Sequence, residues 1–144
     1  VFVLRRNDSN YASMLEMFFE RSREPVIAQA FLKEISEGDR RIIIIDGKPV
    51  GGINRLPQQG EIRSNLHVGG TAVAYEPTEA DLAICETIGP TLKARGQILV
   101  GIDIIGDKMT EINITSPTGV QELKHFSGID AAALCWDAIE QTPD

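Results

Sequence analysis

Residues 101–117 read "GIDIIGDKMTEINITSP", and three of their side chains carry oxygens where a packing strand would carry Thr or Val: Asp103, Glu111 and Asn113. Apolar residues flank the polar turn Gly106-Asp107-Lys108, so the segment predicts a β-hairpin. Side chains alternate along a strand, which puts Glu111 and Asn113 on one face. A three-residue turn would set Ile105 opposite Met109 and Asp103 opposite Glu111, whereas a two-residue turn would set Asp103 opposite Thr110. With the three-residue turn, two carboxylates and an amide oxygen converge. Opposed carboxylates repel unless a cation lies between them, and oxygen-only donors suit Mg²⁺ or Mn²⁺ with phosphates completing the shell. No His or Cys joins the cluster, which disfavours zinc. The plain alternative is a solvated sheet face. Arg41, Arg55 and Arg63 add planar donor forks suited to carboxylates or phosphates.

These groups need a scaffold. The run "RRIIIIDGKPVGGINRL" predicts a second hairpin, because Asp46-Gly47 is a type I′ signal between apolar runs. It carries Arg41 and Arg55. Residues 1–5 and 26–32 also read as strands. A helix is predicted through "NYASMLEMFFERS", N-capped by Ser9, with Tyr11, Phe18 and Phe19 assigned to the core together with Trp136. Pro77, Thr78, Glu79 and Asp81 open another helix, kinked at Gly89-Pro90 and ended by Gly96. Two short helices, "TGVQELKHF" and "DAAALCWDAIE", close the chain. The pattern implies one α+β domain over residues 1–144: a largely antiparallel sheet with helices packed on one face. Between the second hairpin and the Pro77 helix, residues 57–71 lack periodicity and carry Gly60, Gly69 and Gly70, as a flexible lid does.

The bounds agree. The chain has 144 residues, 42% hydrophobic and 24% charged, enough for one core. No run is long enough to span a membrane. The net charge of −7 argues against nucleic acid as a partner. Cys85 and Cys135 lack metal or disulfide spacing and fit a reducing, cytoplasmic setting. The chain opens on Val1 within a strand pattern, so it is expected to be the back part of a longer protein.

The hairpin "GIDIIGDKMTEINITSPTG", the lid "LPQQGEIRSNLHVGG" and the preceding "DGKPVGGINRLP" together resemble bacterial glutathione synthetase, an ATP-grasp ligase. The resemblance runs from Val1 to about residue 140. It implies that Asp103, Glu111 and Asn113 hold Mg²⁺ (or Mn²⁺) against the phosphates of ATP. It implies catalytic and substrate-binding roles for Arg41 and Arg63, with Asn65, Ser116 and Gly119 also at the substrates, γ-glutamylcysteine and glycine. Gln29, Ala30, Phe31 and Leu32 would cradle adenine, Asp39 would take a ribose hydroxyl, and Arg55 would face the phosphates. Gln121 stands where Arg is usual in the family, which puts one carboxylate contact in doubt. The resemblance also implies an upstream Gly-rich phosphate loop with nucleotide-binding lysines, a homo-oligomeric intact enzyme, and no ligase activity from these residues alone. Another ATP-grasp carboxylate–amine ligase and a non-catalytic assembly module are the alternatives.

Overall fold

A computed structural model of the chain describes residues 2–5, 7–58, 64 and 69–141. The single domain drawn from the sequence contains two compact units by backbone contacts, Val1–Leu32 and Lys33–Asp144.

The first unit holds one helix, α1 (Tyr11–Arg21), preceded by Asn10 as N-cap rather than Ser9. Phe2 meets the ring of Phe18 edge-on at 4.8 Å. The strands expected at 1–5 and 26–32 do not form: the described residues of both stretches have no ladder partner. No residue of α1 is buried. Tyr11, Phe19 and also Trp136, expected in a core, are exposed.

The second unit is a five-stranded antiparallel sheet with helices, which bears out the α+β class. A short 3-10 helix (Lys33–Glu37) leads into β1 (Asp39–Ile45) and β2 (Lys48–Leu56). The hairpin turns at Asp46 (φ 48°) and Gly47 (φ 78°), both left-handed as a type I′ turn requires. Then come β3 (Thr71–Tyr75), α2 (Glu79–Ala94), β4 (Leu99–Ile105), β5 (Lys108–Asn113), α3 (Val120–Ser127) and α4 (Ala131–Glu140). The strand order is β3-β2-β1-β4-β5.

The helices pack on both faces, not one. Ile42 and Ile44 of β1, with Val100, Ile102 and Ile104 of β4, pack against Cys85 and Leu92 of α2. Ile43, Ile45 and Ile53 face the other way, onto Leu123 of α3 and Ala131 of α4. The unbroken run of four isoleucines is the signature of a central strand buried on both sides.

Helix α2 starts with a reciprocal capping box between Thr78 and Asp81. It runs through Pro90 and closes in a Schellman arrangement, with Gly96 N–H donating to Lys93 O and Gln97 N–H to Leu92 O. Among the described residues no helix is long and apolar enough to cross a membrane.

Candidate active site

One face of the sheet gathers most of the charged residues singled out in the sequence. On β1, Asp39 and Arg41 alternate with Arg40 and share the face that carries α3 and α4 further along. Arg55 of β2 lies opposite Asp39, and Asp103 of β4 lies opposite Arg41. Glu111 and Asn113 of β5 lie opposite Asp103 and Gly101.

The β4–β5 register is reached by a different route from the one expected. The turn has two residues, Gly106 (φ 59°) and Asp107, so Ile105 pairs with Lys108 and Ile104 with Met109. A β-bulge then leaves Thr110 as an extra residue and restores the pairing of Asp103 with Glu111. The Thr110 hydroxyl donates to Asp103 O at 3.3 Å, across the bulge. The acids thus share a face without the three-residue turn.

Asp103 is held by two arginines. Arg41 grips both carboxylate oxygens with its planar fork, Nε to Oδ1 and Nη2 to Oδ2 (3.0 Å), and its Nη1 donates to Thr118 O at 3.0 Å. Arg55 Nη2 lies 2.8 Å from Asp103 Oδ2 and 2.6 Å from Asp39 Oδ2. Ser64 Oγ donates to Asp39 Oδ2 at 3.0 Å, while Asp39 Oδ1 is buried without a partner among the described residues. Both side chains are buried, with exposures of 5% for Arg41 and 4% for Arg55.

The electrostatics follow from this packing. Burial pushes the Asp103 carboxyl up, but the hydrogen bonds from Arg41 and the charges of Arg55 and Arg41 outweigh it and hold the group below the usual carboxylate range. For Asp39 burial prevails: it raises the carboxyl against the pull of Arg55, and the neighbouring charge of Asp103 adds to the rise. Burial alone would lower Arg55, yet Asp39 and Asp103 carry it above its ordinary value.

Two glycines make room for Arg41. A Cβ on Gly101 would lie 2.7 Å from Pro117 Cβ and 3.1 Å from Arg41 Cδ. Gly119, at φ 107°, caps α3 and brings its Cα beside Arg41 Cγ, where a Cβ would stand at 3.4 Å. Asn113 Oδ1 accepts from Thr115 N–H (3.3 Å) and Ser116 N–H (3.2 Å), fixing the start of the same loop. Ser116 is exposed.

Glu111 is exposed and has no ion pair among the described residues, and Asn113 is half-buried. Among the described residues no group of three or more His, Cys, Asp or Glu could hold a metal ion. The oxygen set is therefore two carboxylates and an amide, one carboxylate already gripped by arginines and the amide oxygen already accepting two long backbone hydrogen bonds. That composition fits a divalent cation that takes one or two protein carboxylates and completes its shell from elsewhere, rather than an all-protein cage.

Of the other expected positions, Gln29–Leu32 fall in the first unit, and Arg63 and Asn65 lie outside the described residues, as does most of the segment 57–71. Thr71 belongs to β3, a strand missed in the sequence. Ser64 and the Thr118 carbonyl were missed as well. Neither carries a sequence signal, since each depends on where a loop returns to β1. The division of "DRR" between two faces was open to a parity argument.

The outer hairpin of the antiparallel sheet thus bears acids on both its strands and an Asn, backed by buried arginines, an arrangement in keeping with the ATP-grasp class. Comparison with known proteins carries this further: residues 1–128 match the family model for the prokaryotic glutathione synthetase ATP-grasp domain, and the chain belongs to that family. It is 58% identical over 140 residues to a glutathione synthetase of Mesorhizobium japonicum, 56% over 140 to that of Brucella melitensis and 52% over 144 to that of Agrobacterium fabrum. These matches take in 97%, 97% and 100% of the chain but 45% of each relative, so the chain spans a little under half their length.

Proposed function

We propose that these residues form the phosphate- and metal-handling portion of an ATP-dependent ligase that joins γ-glutamylcysteine to glycine. In that reaction the substrate carboxylate takes the γ-phosphoryl group of ATP, releasing ADP. The glycine amine then attacks the acyl phosphate, and phosphate leaves as the peptide bond forms. The observation that carries the reading is the pairing of Asp103 with Glu111 on one sheet face, with Asn113 two residues on, in a chain of this family.

Glu111 and Asn113 would hold a divalent cation, with Asp103 behind them. When bound, the cation supplies charge neutralisation for the phosphoryl group in transfer. The chain's own residues prepare the ground. Arg41 and Arg55 fix the Asp103 carboxylate as an anion and add positive charge beneath the site. Asp39 orients Arg55. Arg41 also anchors the loop before α3 through Thr118 O, setting Ser116 and Gly119 at the site's edge. Arg63 and Asn65 would contact the acyl phosphate or substrate, and Gln29–Leu32 the adenine. Preorganised groups of this kind give their largest benefit where charge develops.

The test is ADP release by the full-length ligase. It should require γ-glutamylcysteine, glycine and a divalent cation together. Release that proceeds equally well with D-alanine or glutamate in place of glycine, or without any amine, would contradict the reading.

A further inference from the structure

We infer that Arg40, on the sheet face opposite the proposed metal site, is a positioning residue for the β4–β5 hairpin and sets the metal requirement through it. This rests on the functional reading above. The neighbouring Arg41 has a visible task; Arg40 points away from it, toward the α2 side. There its Nη2 donates to the Gly106 carbonyl at the tip of the β4–β5 turn and lies 3.4 Å from Asp81 Oδ1. Its Nη1 donates to Tyr75 OH at 3.3 Å, and its guanidinium carbon sits 5.7 Å from the Tyr75 ring centroid. Tyr75 in turn donates to Asp81 Oδ2, which also accepts from Thr78 N–H at 2.9 Å as the cap of α2. A single guanidinium therefore links β1, β3, the start of α2 and the hairpin turn.

The hairpin needs such a tie. β5 is the outermost strand, pairs only with β4 among the described residues, and buries none of its own residues. Its ladder is interrupted by the bulge that sets Glu111 opposite Asp103. A slip of one residue would turn Glu111 to the other face. The turn is seated at its far end: a Cβ on Gly106 would lie 3.2 Å from Glu34 Cγ of the 3-10 helix. Asp81 is 1% exposed while Arg40 keeps 20% of its side chain exposed, so the anchor for Arg40 is buried and its guanidinium is partly shielded from water. Residues hydrogen-bonded directly to metal ligands change metal affinity or activity by about 10–100-fold when removed; Arg40 acts one step further away, through the turn, and so belongs at the low end of that range.

The test uses the full-length ligase with Arg40→Met, which keeps an apolar stem and removes the fork, and Arg40→Lys, which keeps the charge. In Arg40→Met the free Mg²⁺ needed for half-maximal ADP formation should rise about tenfold, with the KM for γ-glutamylcysteine changed by less than about twofold. Hydrogen exchange should quicken at the amides of residues 108–113 while β1 and β2 stay protected. Arg40→Lys should recover most of the metal response. An unchanged Mg²⁺ requirement, or protection lost equally over all five strands, overturns the inference and leaves the functional reading standing. Metal-independent ADP formation by the wild-type enzyme overturns both.

Discussion

Replacing Arg41 by Met should cost about 3 kcal/mol of stability at neutral pH. The substitution removes the fork on Asp103 and the bond to Thr118 O, while Arg55 stays 2.8 Å from Asp103. Deleting one partner of a buried ion pair costs about 3–5 kcal/mol, and the surviving arginine argues for the low end. In a chain of 144 residues, each kcal/mol moves Tm by about 3 °C, so the drop is about 9 °C. The pH dependence makes the test specific. In the wild type Asp103 is held below the usual carboxylate range, so its contribution is present above that range and is lost as pH falls through the lowered pKa. In Arg41→Met burial faces Arg55 alone, the Asp103 pKa rises, and acidification protonates the group and relieves its burial. The gap between the proteins should therefore narrow from pH 7 toward about pH 4. Asp39, raised mainly by burial in both, gains stability on acidification in both, and only the smaller part of its rise that comes from the Asp103 charge differs between them. Urea denaturation at both pH values reads this directly. A loss under about 1 kcal/mol, equal at both pH values, would refute the claim that Arg41 neutralises Asp103.

Gly101→Ala should destabilise the chain by about 1–3 kcal/mol, because its Cβ meets Pro117 at 2.7 Å; thermal denaturation measures it. Gly96→Ala should cost only about 1 kcal/mol, since its Cβ meets open space and the strain is confined to φ 68°. Cys85 is fully buried and its thiol is pushed up to about 11 by burial, so iodoacetamide on the native chain should label Cys135 first, as mass spectrometry of timed samples would show.

What could be read in advance was what local chemistry dictates. Asp46-Gly47 named its turn because only a left-handed pair closes a two-residue hairpin. Thr78, Asp81 and Gly96 marked the ends of α2 for similarly local reasons. The pairing of Asp103 with Glu111 was anticipated for the wrong cause: the bulge at Thr110, invisible in the residue pattern, substitutes for a longer turn. Helices on both faces were missed, although four consecutive isoleucines in β1 argue for burial on either side. Apolar runs at 1–5 and 26–32 suggested strands, but apolar composition supplies no ladder partner. Tertiary returns such as Ser64 to Asp39 and Thr118 to Arg41 leave no local trace at all.

The central claim is that Glu111, across from Asp103, serves a cation at the phosphates. Substituting Glu111→Gln in the full-length ligase tests it with little structural cost, since Glu111 is exposed and unpaired among the described residues. The decisive measurement is the Mg²⁺ dependence of ADP formation alongside the affinity for γ-glutamylcysteine. The account predicts a loss of about 100-fold or more in metal-supported ADP formation with peptide affinity almost unchanged. Equal effects on both, or full activity at the wild-type Mg²⁺ concentration, would contradict it.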